Sequence, residues 1–252
     1  MNEKQFEVFL EIHKDIPREG PGDSDITKST FKLCTDLPEK PEILDVGCGP
    51  GFQTFDLAEV SDGNITALDY HEQYIKVLEK NVSSADMQNR IKCVRGDMNK
   101  MEFPPESFDL MWSEGAVYIM GFDEGLKEWR KFLKPGGYLC VTELSWIKEN
   151  PPAEVADYWN ENYPGMMKVA EGNNIALKRG YEIVENIVLP DSAWFDNYYN
   201  YIEVKLPEMK AKYQSSDDLL KVIENEEIEI DMRRKYGEYY GYVFYVLRRI
   251  DQ

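Results

Sequence analysis

The sequence predicts an α/β fold, a doubly wound and mostly parallel sheet covered by helices on both faces, and three observations lead to it. Between residues 41 and 145, short apolar runs alternate with stretches of helical period. That alternation is what strand–helix–strand units require of a chain. The first apolar run, Ile43-Leu44-Asp45-Val46, stops in a turn carrying Gly47, Gly49 and Gly51, and a helical stretch follows at once. Open parallel sheets bind ligands at such strand ends. Finally, 42% apolar and 13% aromatic residues in 252 supply a core large enough to bury the sheet without disulfides or metals.

The elements follow in order. Residues 4–14 place Phe6, Phe9, Leu10 and His13 on one helical face. A Gly- and Pro-rich break runs from Pro17 to Asp23, and residues 24–37 form a second helix that stops before Pro38 and Pro41. After the first strand come a helix over 52–60, a strand over 64–69, a helix over 74–81 and a strand over 91–95. The fourth strand covers 108–113. Leu126, Trp129 and Leu133 then mark a helix capped by Pro135-Gly136-Gly137, and the fifth strand covers 138–144. Beyond 145 the rhythm changes. Residues 146–179 are broken by Asn, Pro and Gly, 181–189 form a strand, 191–235 hold an aromatic cluster and a charged helix, and 242–247 form a buried final strand. The expected organisation is one domain over 1–252: a helical cap at 1–40, a ligand-binding core at 41–145, and insertions at 146–179 and 190–238 that cover the substrate.

A net charge of −18 opposes both phosphate backbones and anionic membranes, so neither nucleic acid nor membrane is an expected partner. The N-terminus lacks a signal-peptide pattern, and no apolar run reaches the ~20 residues that span a bilayer. Cys34, Cys48, Cys93 and Cys140 form no C-x-x-C pair, and His13 and His71 are the only histidines. Neither a metal site nor a disulfide framework is expected, and free thiols fit a reducing cytoplasm.

The chemistry concentrates in Asp45-Val46-Gly47-Cys48-Gly49-Pro50-Gly51, where alternate glycines let the backbone approach a ligand closely. A dinucleotide fingerprint would need its third glycine at position 52, which is Phe52, and a phosphate-binding lysine is missing because Gln53 and Thr54 follow. Asp69, ending the second strand, can accept from both hydroxyls of a ribose. Asp97, after the third strand, can take an exocyclic adenine amine, and Met98 can pack on the ring. Trp112-Ser113-Glu114-Gly115 ends the fourth strand, and Lys134-Pro135-Gly136-Gly137-Tyr138 precedes the fifth.

These five elements, in register over roughly 41–145, resemble the class I S-adenosylmethionine-dependent methyltransferases. The stretch Ser107-Phe108-Asp109-Leu110, followed by Leu133 to Gly137, is similar to the small-molecule branch that includes quinone-biosynthesis enzymes. The resemblance implies a Rossmann-like sheet of seven strands with the last antiparallel. It implies S-adenosylmethionine as methyl donor, with S-adenosylhomocysteine as product. On it, Gly47, Gly49 and Gly51 border the methionine end, Asp45 orients its ammonium, Asp69 and the adjoining Tyr70 face the ribose, Asp97 and Met98 the adenine, Ser113 and Glu114 the sulfonium, and Gly20-Pro21-Gly22 packs over it.

Blander roles stand beside these. Asp69 also suits a helix N-cap, Asp97 a turn and Glu114 a structural carboxylate. His71 suits a surface helix position, and His13 either the core or the substrate side. Trp194, Phe195, Tyr198, Tyr199 and Tyr201 form either a packing or homodimer surface or a substrate lid, joined by Trp146, Tyr158, Trp159 and Tyr163. As a lid, their faces suit a planar ring or a quaternary amine. The activity expected is in-line methyl transfer to N, O or C of a small molecule, and Glu114, Glu143 and Tyr118 are the candidates for a base. The alternatives are a non-catalytic S-adenosylmethionine-binding protein acting through partners and a nicotinamide-dependent oxidoreductase, the latter opposed by Phe52.

Overall fold

The computed structural model describes residues 2–14, 16 and 18–251; Pro17, where the sequence places the start of a break, lies outside them. The central sheet contains β1 (Glu42–Val46), β2 (Asn64–Asp69), β3 (Ile91–Arg95), β4 (Phe108–Ser113), β5 (Leu133–Trp146), β7 (Tyr181–Val188) and β8 (Tyr240–Arg249), in the order β3-β2-β1-β4-β5-β8-β7. β8 is antiparallel to both β5 and β7, and the remaining neighbours are parallel. An eighth strand of two residues, β6 (Met167–Lys168), adds to the end of β5 at Ser145 and Trp146.

The apolar runs read as strands because both faces of the sheet are covered. Along β1, Ile43 belongs to one core and Leu44 to the other, and along β5 Tyr138 and Cys140 alternate with Leu139 and Val141 in the same way. α3 (Phe52–Val60), α4 (Glu72–Ser84) and α6 (Ala153–Asn162) cover the first face, and α5 (Phe122–Trp129) and α7 (Val169–Lys178) the second.

Four helices outside the sheet crossovers join the first core. They are α1 (Glu3–His13), α8 (Asp191–Trp194), α9 (Asn200–Tyr213) and α10 (Asp217–Tyr236). Asn2 starts α1 with a capping box, its side chain accepting from Gln5 N at 3.0 Å while Asn2 N donates to the Gln5 amide at 2.9 Å. The buried face of α1 is Val8, Ile12 and His13. Phe6, placed on the inner face by its spacing, is 41% exposed and stacks on Phe9 and His71. Between α8 and α9 the chain takes a π-helical turn over Phe195–Tyr199, whose wider winding turns both Tyr198 and Tyr199 inward.

Two local expectations change. α2 covers only Ser24–Phe31, capped by Asp23, and tight turns replace its expected last residues. Pro135-Gly136-Gly137 does not cap a helix. α5 ends at Trp129, a 3₁₀ turn covers Arg130–Phe132, and Leu133 already pairs with Phe108. Leu110 next pairs with Tyr138, so the extra residues form a bulge in β5 with Gly136 at φ +74.

Gly51 opens α3 at φ +100, and a Cβ there would lie 2.3 Å from Leu78 Cδ1. Gly51→Ala is therefore expected to lower the unfolding free energy by roughly 1–3 kcal/mol, through left-handed strain and overpacking together. Gly20→Ala, with nothing within 4 Å of its Cβ, should change it little. Urea denaturation of both variants measures the difference, and equal midpoints would show that the turn tolerates a side chain.

Candidate functional site

The strand order reverses where β1 sits between β2 and β4, and a cavity of about 470 Å³ opens at the carboxyl ends of β1, β2, β4 and β5. Its floor is backbone. Gly47 N and Cys48 N donate to Leu68 O at 2.8 and 3.0 Å, which pins the start of the turn to β2. Gly49 N then donates to Asp69 Oδ2 at 2.9 Å, while Asp69 Oδ1 accepts from His71 N at 2.8 Å and so starts α4. From beneath, the buried Asp45 accepts from Thr54 Oγ1 at 2.5 Å and Gln53 Nε2 at 3.3 Å. Burial holds the Asp45 carboxyl up, to about 7.

Eight of the sequence-predicted residues line this cavity: Gly47, Gly49, Asp69, Tyr70, Met98, Glu114, Tyr118 and Glu143, with Tyr118 half-exposed and Glu143 buried. The others lie behind its wall. Asp45 and Ser113 are fully buried, and Gly51 packs on Leu78. Asp97 turns to its own loop, accepting from Asn99 N at 2.9 Å and from the Asn99 amide at 2.8 Å, and these bonds hold its carboxyl low. Gly22 donates to Ala193 O at 3.2 Å with the Arg18 guanidinium against it, so Gly20 and Pro21 form that part of the wall. His13 is core, bonded to Tyr198 Oη at 2.7 Å, and His71 lines the cavity.

Glu114 is occupied. It accepts from Thr27 Oγ1 at 2.7 Å and Trp112 Nε1 at 2.9 Å, and pairs with Arg18 at 3.4 Å; burial raises its carboxyl. Arg18 also reaches Asp56 at 3.2 Å. Glu143 differs. It is 1% exposed, Tyr163 Oη donates to its Oε1 at 2.5 Å, and its Oε2 has no hydrogen-bond partner among the described residues. Burial pushes its carboxyl up to about 7. Tyr118 stands edge-on to Tyr163 at 6.4 Å, with its hydroxyl raised by burial and by Glu143.

The sequence reading passed over Arg18, Glu19, Tyr74, Glu226 and Glu229, all of which line the cavity. Tyr74 Oη donates to Glu19 Oε2 at 2.8 Å. Glu226 and Glu229 lie on α10, between the buried Val222 and Ile223 and the buried Ile230. The signal for them was there: two acids at the inward positions of an apolar stripe. Tyr199 Oη donates to Glu229 at 2.7 Å, and burial beside Glu229 raises Glu226 to about 8.

A family model for a methyltransferase domain matches residues 39–213. The sterol 24-C-methyltransferase erg6 of Aspergillus fumigatus is 27% identical over 163 residues, 62% of this chain and 43% of that one. The demethylmenaquinone methyltransferase of Listeria monocytogenes is 31% identical over 121 residues, 47% of this chain and 50% of that one. The chain spans about half the length of the curated relatives it matches. In fold it is similar to the S-adenosylmethionine-dependent methyltransferase of Thiobacillus denitrificans solved with S-adenosyl-L-homocysteine, at a TM-score of 0.77 and 18% identity, covering 98% of each chain. No helix among the described residues is long and apolar enough to cross a membrane.

Three buried acids, Asp45, Glu143 and Glu226, hold their protons up to about 7 or 8 in the fold, whereas in the unfolded chain they release them near pH 4. Their folded values are raised, so the stability they allow is complete below pH 4 and is lost as pH rises to 8. His13, lowered to about 4 by burial, acts in the opposite sense and only below its unfolded value of 6.5. Thermal unfolding should therefore shift down by several degrees between pH 6.5 and 8.5, and Glu226→Gln should flatten the slope. A midpoint independent of pH across that window would show these carboxyls to be solvated.

Proposed function

From the premise that this chain belongs to the methyltransferase-domain family, we propose that it binds S-adenosylmethionine at the β1–β2 end of the cavity and transfers the methyl group to a small molecule in the inner half. One observation carries the reading: the glycine turn and Asp69 meet through the 2.9 Å bond from Gly49 N, at the point where the strand order reverses. The residues present fit the cofactor. A Cβ on Gly49 would meet only Glu19 Cγ at 3.9 Å, so the bare backbone faces the cavity. Asp69 spends one lone pair of each oxygen on the backbone, which leaves one on each for vicinal hydroxyls. Met98 offers a thioether to a flat ring, and Tyr70 and His71 stand at the rim.

When bound, the cofactor supplies a sulfonium-activated methyl carbon, so the chain needs no covalent nucleophile. The protein's work is orientation and dryness, the first worth on the order of 7–11 kcal/mol in well-aligned reactions. The main-chain turn fixes one partner, and the walls made by Trp159, Tyr163, Trp194 and Tyr242 confine the other and exclude water. Glu143 is the base we assign, because Oε2 is free to take a proton and a carboxyl near 7 is matched to neutral pH. Tyr163 holds the other oxygen and orients it. Glu114 keeps the role of anchoring Arg18, and Tyr118 shapes the wall. We assign the helices of the two insertions, 146–179 and 190–238, to the lid over the acceptor. Four cysteines without metal-ligand spacing suit a cytoplasmic setting.

Calorimetric titration with S-adenosylhomocysteine tests the reading without knowledge of the acceptor. Micromolar binding is expected, weakened at least tenfold in Asp69→Ala, because that variant loses two charge-assisted acceptor positions. Absence of heat at millimolar concentration would sink the assignment, and an unchanged affinity in the variant would remove Asp69 from it.

A further inference from the structure

We propose that the inner half of the cavity is a cation subsite, and that the methyl acceptor is a small aliphatic amine whose nitrogen occupies it. This rests on the methyltransferase reading above and extends it to a class of substrate.

Charge is the first observation. Among the described residues, Glu19, Asp69, Glu114, Glu143, Glu226 and Glu229 line the cavity against a single guanidinium, that of Arg18. Arg18 is spent on Asp56 and Glu114. Among the described residues that line the cavity, none with a basic side chain pairs with Glu143, Glu226 or Glu229; His13 Nε2, behind the wall and 4.0 Å from Glu226, is held neutral by burial. Glu143 on β5 and Glu226 and Glu229 on α10 line the same cavity, as do Tyr118 and Tyr242.

The second observation is independent of charge. Glu143 is 1% exposed and lines the cavity, yet Oε2 has no hydrogen-bond partner among the described residues. A buried acceptor left empty costs free energy unless a ligand fills it. The walls agree with a cationic ligand. Trp194 stacks on Tyr242 at 5.3 Å and carries the Arg233 guanidinium over its ring at 4.3 Å, and Tyr118 meets Tyr163 edge to face at 6.4 Å, so aromatic rings and carboxylates share the lining. Aromatic faces attract ammonium groups, most strongly where water is excluded.

The same lining rejects the other classes. A neutral sterol or quinone would leave the three acids to rely on bound protons for neutrality, and an anionic acceptor would find no cation beside them. Without a cation, burial and Glu229 raise Glu226 to about 8, so a proton serves as the missing charge, and an arriving ammonium can replace it.

The chemistry balances. The amine enters as an ammonium and its N–H proton passes to Glu143 Oε2, leaving the electron pair on nitrogen. That pair forms the new N–CH₃ bond while the bond from the methyl carbon to the cofactor sulfur breaks and its pair returns to sulfur. The positive charge thus moves from sulfur to nitrogen, where Glu226, Glu229 and the rings face it. A site that favours charge on nitrogen over charge on sulfur lowers the barrier by differential binding.

Choline and its neutral isostere 3,3-dimethylbutan-1-ol separate charge from shape. Both are titrated into the protein alone and into the protein saturated with S-adenosylhomocysteine. Choline is expected to bind at least tenfold more tightly than the alcohol, and Glu226→Gln and Glu229→Gln should each weaken it at least tenfold while leaving S-adenosylhomocysteine affinity intact. Equal affinity for the two probes, no binding of either at millimolar concentration, or choline binding indifferent to both substitutions would each overturn the subsite. Choline binding that depends on Glu226 in a protein that ignores S-adenosylhomocysteine would instead overturn the methyltransferase reading and leave the subsite standing.

Discussion

The bond from Gly49 N to Asp69 Oδ2 ties the turn after β1 to the end of β2, and the rest of the site is arranged around it. Both partners are fixed by the sheet. Asp45 and Leu68 are held by strand pairing, and Asp69 Oδ1 is engaged by His71 N at the start of α4. A carboxylate accepting two backbone donors is a charge-assisted clamp, stronger than neutral hydrogen bonds and independent of side-chain rotamers beyond its own. The turn runs through Gly47, Gly49 and Gly51, all at positive φ, so the clamp acts on a backbone that glycine follows with the least strain. The cavity floor is thereby as rigid as the sheet.

The opposite wall is assembled differently. The N-terminal segment reaches the core through Arg18, whose guanidinium lies between Asp56 on α3 and Glu114 beyond β4. Two bonds close the same wall, one main-chain, from Gly22 N to Ala193 O, and one from the Asn197 side chain, Nδ2 to Gly22 O. A buried guanidinium adds little net stability over an apolar replacement, because desolvation offsets its attraction to the two acids. Its value is placement: it registers a segment with no strand of its own against the strand ends. The floor is thus fixed by backbone and the roof registered largely by side chains.

How much of this was legible in the sequence depends on whether the local chain carried the constraint. The strands of residues 41–113 were readable almost to the residue, because burial on both faces leaves unbroken apolar runs bounded by Gly, Asp or Ser. Pro135-Gly136-Gly137 misled, because its turn-forming residues serve a bulge whose existence depends on pairing with Phe108 and Leu110 far away in sequence. Asp69 and the glycines were visible as a pattern. Arg18 was not, since nothing local distinguishes an arginine that bridges two remote acids from one in solvent. Glu226 and Glu229 fall between: helical period points them inward, but only the fold reveals that a cavity and not the core lies there.

The number of hydrogen-bond partners separates the acids that build the site from the one that is available to act in it. Asp45, Asp69 and Glu114 are each buried, and each has both carboxyl oxygens engaged: Asp45 by Gln53 and Thr54, Asp69 by Gly49 and His71, Glu114 by Thr27, Trp112 and Arg18. A fold that went to the expense of satisfying three buried acids so fully has no general shortage of donors. Glu143 receives one side-chain donor, Tyr163, on one oxygen, and the other, buried oxygen has no hydrogen-bond partner among the described residues. Strand position does not explain the difference, because Glu143 pairs in register with Val243 on β8 and its backbone is as fixed as that of Asp45. An unsatisfied oxygen at a rigid position, with its carboxyl poised near neutrality, is what proton acceptance requires. Supplying the second donor from the protein would stabilise the fold and remove the proton acceptor we propose.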